Sequence, residues 1–262
     1  MRKNVLRELL KAGKPSISTH LHISWPTITE LVGLSGNFDY IEFVAAYGPY
    51  DIYALENIGR AIAMFDHMTG MIKVEQGARM YWAAKATQCG IQNVLFEDVR
   101  TPEDALDCVR CVRAETPGVD GLRGVAASRD VGVYRETGSP AFVQATVDAV
   151  VMLMIEKRQA VENLEAILSV KGVDMVQFGP SDYSMSIGVP GQRANPKVRE
   201  AEEYVIKTAL SKGIQPRAEI NQPEDAERYL KLGVRHFCLS TDTRILGSFF
   251  DEKGAALKAL VK

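Results

Sequence analysis

The chain alternates short apolar blocks with longer amphipathic ones. Segments 16–21, 40–45, 71–75, 93–97, 150–155, 173–178, 215–219 and 236–240 are strand-sized, and the run from Val150 to Ile155 is apolar throughout, as a parallel strand buried on both faces requires. Between these blocks the spacing predicts helices. One starts at Ser24-Trp25-Pro26 and ends near Gly36, others cover 52–67 and 80–89 with Gly90 closing the second, and Thr101-Pro102-Glu103-Asp104 carries the cap, the proline and the acids of a helix start. Further helices are predicted at 157–168, where Ala160, Val161, Leu164, Ile167 and Leu168 recur at helical spacing, at 223–232, and in a last amphipathic segment at 245–260. Eight strands alternating with helices predict a single-domain (β/α)8 TIM barrel over residues 1–262, with an open doubly wound sheet as second choice. Residues 116–140 are Gly-rich and aperiodic, long enough to suspect of function.

The stretch 150–188 carries the candidate chemistry. Its first strand stops at Glu156, and its second ends in Gly179-Pro180-Ser181-Asp182. Parallel strands joined through a helix place their carboxyl ends on one rim, so Glu156 and Asp182 meet where barrel active sites lie. Two carboxylates on one rim suit a hard divalent cation such as Mg²⁺ or Mn²⁺.

Composition changes this picture little. With 46% hydrophobic residues, 24% charged residues and a net charge of −2, the chain has material for a core and gives no case for nucleic acid or a membrane surface. Its apolar runs are too short to span a bilayer, and the N-terminus reads as a short amphipathic segment rather than a secretory signal. The four cysteines read as reduced thiols of a cytoplasmic protein, Cys108 and Cys111 lying within a helical pattern without a second metal-binding pair.

Met154-Ile155-Glu156, Gly172-Val173-Asp174, Gly179-Pro180-Ser181-Asp182 and Ser186-Ile187-Gly188, with Gly121-Leu122-Arg123-Gly124 upstream, resemble the HpcH/HpaI aldolase family of the phosphoenolpyruvate/pyruvate-utilising barrel superfamily. The resemblance implies a barrel, typically a hexamer built from dimers that exchange their last helix, and C–C bond cleavage or formation through a metal-bound pyruvate-like enolate. It makes Glu156 and Asp182 the ligands of a divalent metal (Mg, Mn or Co), with Gly179, Pro180 and Ser181 at the substrate carboxylate. Arg123, which matches the family's Arg-Gly, is implied as a substrate or subunit-interface anchor.

The chain departs from the family pattern at its proton-transfer groups. The usual His after the second strand is Tyr47, its acidic partner is Gln88, the arginine of the third strand is Lys73, and a glutamine two positions before the metal-binding Glu is Met154. A phenol is not a ready base at neutral pH, and Lys73 is a point charge that cannot form an arginine's fork. New polar groups appear at Glu42, Glu75 and Glu97-Asp98. Lys73 and Glu75 share a strand face and read as an internal ion pair or a catalytic one. His20 and His22 lie at the end of the first strand, and at most one of them is expected to point inward. His236 begins the last strand and reads as structural, and Arg79, Arg129 and Arg217 are further cations for a second carboxylate, each alone reading as solvated or in a surface pair.

The sequence therefore predicts a divalent-metal-dependent aldolase acting on a small 2-oxo acid. Glu156 and Asp182 bind the metal, Lys73 stabilises the enolate oxygen, Arg123 anchors a carboxylate, Tyr47 or a metal-bound water moves the proton, and Glu42, Gly179, Pro180 and Ser181 contact substrate. A Schiff base on Lys73 is disfavoured by the retained carboxylate pair. Decarboxylation, tautomerisation or hydrolysis of an oxo acid is the first alternative, and a non-catalytic acid-binding barrel the second. The apolar tail predicts a homo-oligomer, with trimer and hexamer the expected sizes.

Overall fold

The computed structural model describes residues 1–133 and 135–261. Eight parallel strands, β1 (Ser16–Leu21), β2 (Tyr40–Val44), β3 (Thr69–Val74), β4 (Asn93–Phe96), β5 (Val151–Ile155), β6 (Met175–Phe178), β7 (Gln215–Ile220) and β8 (His236–Thr241), close into a barrel in sequence order. The predicted (β/α)8 architecture is the one observed. Helices α1 (Val5–Lys11), α2 (Pro26–Ser35), α3 (Ile52–Ile62), α4 (Arg79–Cys89), α5 (Pro102–Val112) and α6 (Pro140–Asp148) accompany the first half. The second half carries α7 (Arg158–Glu162), α8 (Leu164–Ile167), α9 (Pro180–Ser186), α10 (Pro196–Ser211), α11 (Ala226–Lys231) and α12 (Asp242–Leu260). Among the described residues no helix is long and apolar enough to cross a membrane.

Three helical features depart from the sequence expectation. The predicted helix at 157–168 is broken at Asn163 into α7 and α8, and the Asn163 amide donates to the Arg100 carbonyl at 3.0 Å. Neither α6, which starts at Pro140 under a Ser139 cap, nor the sixteen-residue α10 is among the predicted helices. The helix start at Thr101 is as expected, with Thr101 and Asp104 forming a reciprocal capping box.

Outward-facing strand residues such as Ile41, Phe43, Ile72, Val94, Phe96, Leu153 and Val176 pack under the helices as the main core. The close approach of α3 to the end of α4 requires a glycine, because a Cβ at Gly59 would lie 1.8 Å from the Cys89 carbonyl oxygen. Inside the barrel, Met71, Leu95, Met152, Met154 and Met175 fill the β3–β6 side, and Leu6 of α1 packs against this cluster. Arg7 anchors α1 to Asp174 through two bonds of 2.6 and 2.7 Å, so the amino-terminal end of the barrel is covered and the carboxyl-terminal end carries the cleft. At that covered end His236 contacts the Ser16 hydroxyl at 2.8 Å, and burial, with Arg235 and Arg217 nearby, holds its pKa down to about 4, as suits a structural residue.

Candidate active site

A cavity of about 280 Å³ opens at the carboxyl ends of the strands, and Glu156, Asp182, Lys73, Tyr47, Gly179, Pro180 and Ser181 all line it. Glu156 follows the last residue of β5 and is buried, and its Oε1 accepts the Asp98 N–H at 2.9 Å. Asp98 makes that contact from a left-handed backbone (φ 57°), a conformation that costs a non-glycine residue about 1 kcal/mol or more and recurs at functional sites. Burial raises the Glu156 carboxyl above its ordinary range, and Lys73 and the Asp98 N–H oppose the shift.

Asp182 lies in the first turn of α9, where the Lys157 ammonium bridges it at 2.8 Å to Asp98 at 2.9 Å. A Cβ at Gly179 would sit 2.7 Å from Glu156 Oε2, so only glycine leaves the space beside that oxygen open. An open oxygen on Glu156, Asp182 on the next strand's loop and room between them form an all-oxygen donor set of the kind Mg²⁺ or Mn²⁺ takes while keeping waters or substrate oxygens as further ligands. Among the described residues no group of three or more His, Cys, Asp or Glu is arranged to hold a metal ion.

Lys73 rises from β3 and pairs with Glu97 at 3.2 Å, not with Glu75, which is exposed just past the strand end. Burial works against its charge, but Tyr47, Glu156, Glu97 and Glu42 outweigh that and hold the ammonium well above the ordinary lysine range. The exposed Tyr47 ring lies 5.1 Å from Lys73 Nζ and edge-on to His22 at 5.5 Å. Of the N–H groups in the 179–182 turn, that of Gly179 is given to the Ile155 carbonyl at 3.1 Å and Pro180 has none, leaving those of Ser181 and Asp182.

Two expected residues are elsewhere. Arg123 does not line the cleft; it is buried against Phe142 of α6, in a small cavity shared with Asp130 and Ala149, where burial lowers its pKa to about 10. No described residue of the 116–140 loop lines the cleft. Glu42 lies below the cleft, fully buried, in contact with Arg217 Nη2 and 3.0 Å from His20 Nε2. Arg217, read from sequence as a surface cation, is fully buried and also reaches the Gln177 amide oxygen at 2.6 Å and the Tyr40 hydroxyl at 3.2 Å. Arg79 and Arg129 are engaged with Asp104 at 3.4 Å and Glu56 at 3.2 Å.

Both His20 and His22 line the cleft. The expectation of a single inward ring does not hold, because residues two apart share a strand face, and just past the end of β1 at Leu21 the His22 backbone N–H is held by Asp242. Sequence reasoning also missed Lys157, Arg193, Glu219 and Arg244, all close to or lining the cleft. Arg217 and Glu219, two apart on one strand, carried the signal that they share an inward face.

The model of the HpcH/HpaI aldolase/citrate lyase family matches residues 54–246. A 4-hydroxy-2-oxo-heptane-1,7-dioate aldolase of Shigella boydii is 30% identical over 250 residues, 93% of this chain and 91% of that protein. A solved HpcH/HpaI aldolase/citrate lyase family protein from Burkholderia cenocepacia superposes with a TM-score of 0.87 at 25% identity, covering 99% of this chain and all of that one. An HpcH/HpaI aldolase from Desulfitobacterium hafniense superposes with the same score and identity over 97% of this chain and 96% of that one.

Proposed function

The chain belongs to the HpcH/HpaI aldolase/citrate lyase family, and on that premise we propose that it is a divalent-metal-dependent carbon–carbon lyase that cleaves or forms a bond to the methyl carbon of a small 2-oxo acid. The observation that carries this reading is the pair Glu156 and Asp182, at the ends of neighbouring strands, facing one cleft with the space beside Glu156 kept open by Gly179.

These two carboxylates would hold the metal, for which Mg, Mn and Co are candidates, and a cation there supplies Lewis-acid polarisation of the substrate's carboxylate and keto oxygens. Lys73 neutralises negative charge developing on the keto oxygen, from a β3 position where Glu97 fixes its ammonium. The N–H groups of Ser181 and Asp182 receive the substrate carboxylate, and Tyr47 closes the rim above Lys73. Arg123 lies outside the cleft of its own chain, which leaves it the subunit-interface role rather than the substrate carboxylate. The protein acts in the cytoplasm, with its four cysteines as free thiols, and as a homo-oligomer assembled through α12.

The test is exchange of the pyruvate methyl protons for deuterium, followed by NMR in D₂O. Exchange that needs Mg²⁺, Mn²⁺ or Co²⁺, stops with EDTA and is lost in Glu156→Ala is the expected result. EDTA-resistant exchange, or exchange undiminished in Glu156→Ala, would remove the metal-enolate reading.

A further inference from the structure

The β7, β8, β1 and β2 side of the barrel interior is polar, in contrast to the methionine-filled side opposite. His20 and Glu42 are cross-strand partners on β1 and β2, and Glu42 is held from β7 by Arg217, itself fixed by Gln177 and Tyr40. Burial alone would raise the Glu42 carboxyl, but Arg217 and His20 outweigh it and keep the group ionised, at about 2. The imidazole therefore rests on a permanent buried anion, its Nε2 3.0 Å from Glu42 Oε1. Its Nδ1 is turned to Glu219, 3.7 Å away and half exposed at the cleft.

The β8 backbone makes room for this ring. Between Ser18 and His20 the pairing to β8 jumps from Cys238 to Thr241, so β8 carries one extra residue, and Ser240 takes a left-handed φ of 56°. Bulges of this kind re-aim side chains beside active sites. Tyr47, in contrast, is exposed at the rim, and His22 is spent on Thr243 at 3.2 Å.

We propose that His20, positioned by Glu42, is the proton-transfer residue of the cleft, doing from β1 the work for which the position of Tyr47 offers no ready base. The proposal rests on the lyase reading above. In the cleavage direction Nδ1 accepts the substrate hydroxyl proton while the O–H pair becomes the aldehyde π bond and the C–C pair passes into the enolate. The same proton then moves from Nδ1 to the enolate's terminal carbon, whose π pair forms the new C–H bond and leaves the methyl ketone.

The groups facing His20 are Glu42 from β2, Glu219 from β7, Cys238 from β8 and His22 beyond its own strand, while Arg217 from β7 and Lys73 from β3 act on Glu42. Burial opposes charge on the ring, but Cys238 and Glu42 prevail and its pKa stands well above the ordinary value. The neutral base thus accumulates only at higher pH, and exchange at the pyruvate methyl rises with pH through an apparent pKa above 6.5.

The experiment compares wild type, His20→Asn and Glu42→Gln. Metal-dependent pyruvate exchange is read against pH, the His20 ring is followed by ¹H–¹⁵N NMR with and without Mg²⁺ and oxalate, and folding is checked by circular dichroism. Expected are a loss of about 100-fold or more in His20→Asn with oxalate binding retained, and a fall of the apparent pKa toward 6.5 in Glu42→Gln. A folded His20→Asn that exchanges at the wild-type rate with the wild-type pH profile would overturn the role of His20 and leave the lyase reading standing. Should wild type not exchange pyruvate, the lyase reading fails on that substrate and the ring decides. A His20 resonance shifted by Mg²⁺-oxalate supports its place at the reacting atoms, and an unmoved one overturns it.

Discussion

Among the single residues, Lys73 separates two chemistries that one barrel could run. A lysine forms a Schiff base only as the free amine, which requires surroundings that expel charge. Lys73 has the reverse, with Glu97 at 3.2 Å and Glu156, Glu42 and Tyr47 close enough to hold the ammonium. Borohydride added with pyruvate should therefore leave the mass of the protein unchanged, and Lys73→Met should lower kcat/KM by about 10²–10³ while Lys73→Arg retains more, because only the charge is needed. A reduced pyruvate adduct on Lys73 in the mass spectrum would contradict this. The rim residues were legible because a carboxylate that ends a parallel strand has one place to go, and Glu156, Asp182, Lys73 and Tyr47 do share the cleft. Glu42 was misread because alternation gives the face of a strand and not the height in the barrel: it points inward one layer below the rim. The motif match at Arg123 likewise says nothing about where a long loop comes to rest, and here it rests against α6.

Between elements, the Glu42–Arg217 contact ties β2 to β7 across the barrel interior, with both side chains fully excluded from solvent. A buried pair is costly to form and costlier to halve, since removing one partner strands the other charge. Glu42→Leu or Arg217→Leu alone should lose about 3–5 kcal/mol. The double variant should lose much less than the sum, a coupling readable from urea midpoints at unchanged m-value. Additive losses would show that the contact carries no coupling energy. The eight strands could be placed from sequence because each is a short block set between helical patterns and turn residues, β5 being apolar throughout. Helices were less legible where the buried face is narrow. In α10 the buried Val198, Ala201, Val205, Ile206 and Ala209 recur at helical spacing, but the buried Glu202 interrupts the stripe by pairing with Arg228 and Tyr229. The break at Asn163 answers a tertiary bond to Arg100, which no local pattern encodes.

For the whole molecule, the outstanding feature is α12, a nineteen-residue helix that buries only Asp242 at its first turn. Asp242 accepts the backbone N–H groups of His22 and Ile23, so the root of this helix, about 28 Å long in all, is fastened beside the cleft while the rest is exposed. Ile245, Leu246, Phe249, Phe250, Leu257 and Leu260 are exposed along it, an apolar face of the kind that marks an interaction surface. A second copy offering the same helix would bury both, and because Asp242 and Arg244 join the helix root to the cleft, assembly would also steady the site. Light scattering after size exclusion should therefore give a multiple of the 28.9 kDa chain mass at micromolar concentration. Phe249→Glu with Phe250→Glu should shift the protein to monomers that keep their barrel circular dichroism and lose part of their exchange activity. A wild-type monomer, or a double variant that assembles unchanged, would mean that α12 is covered by something other than its own copy.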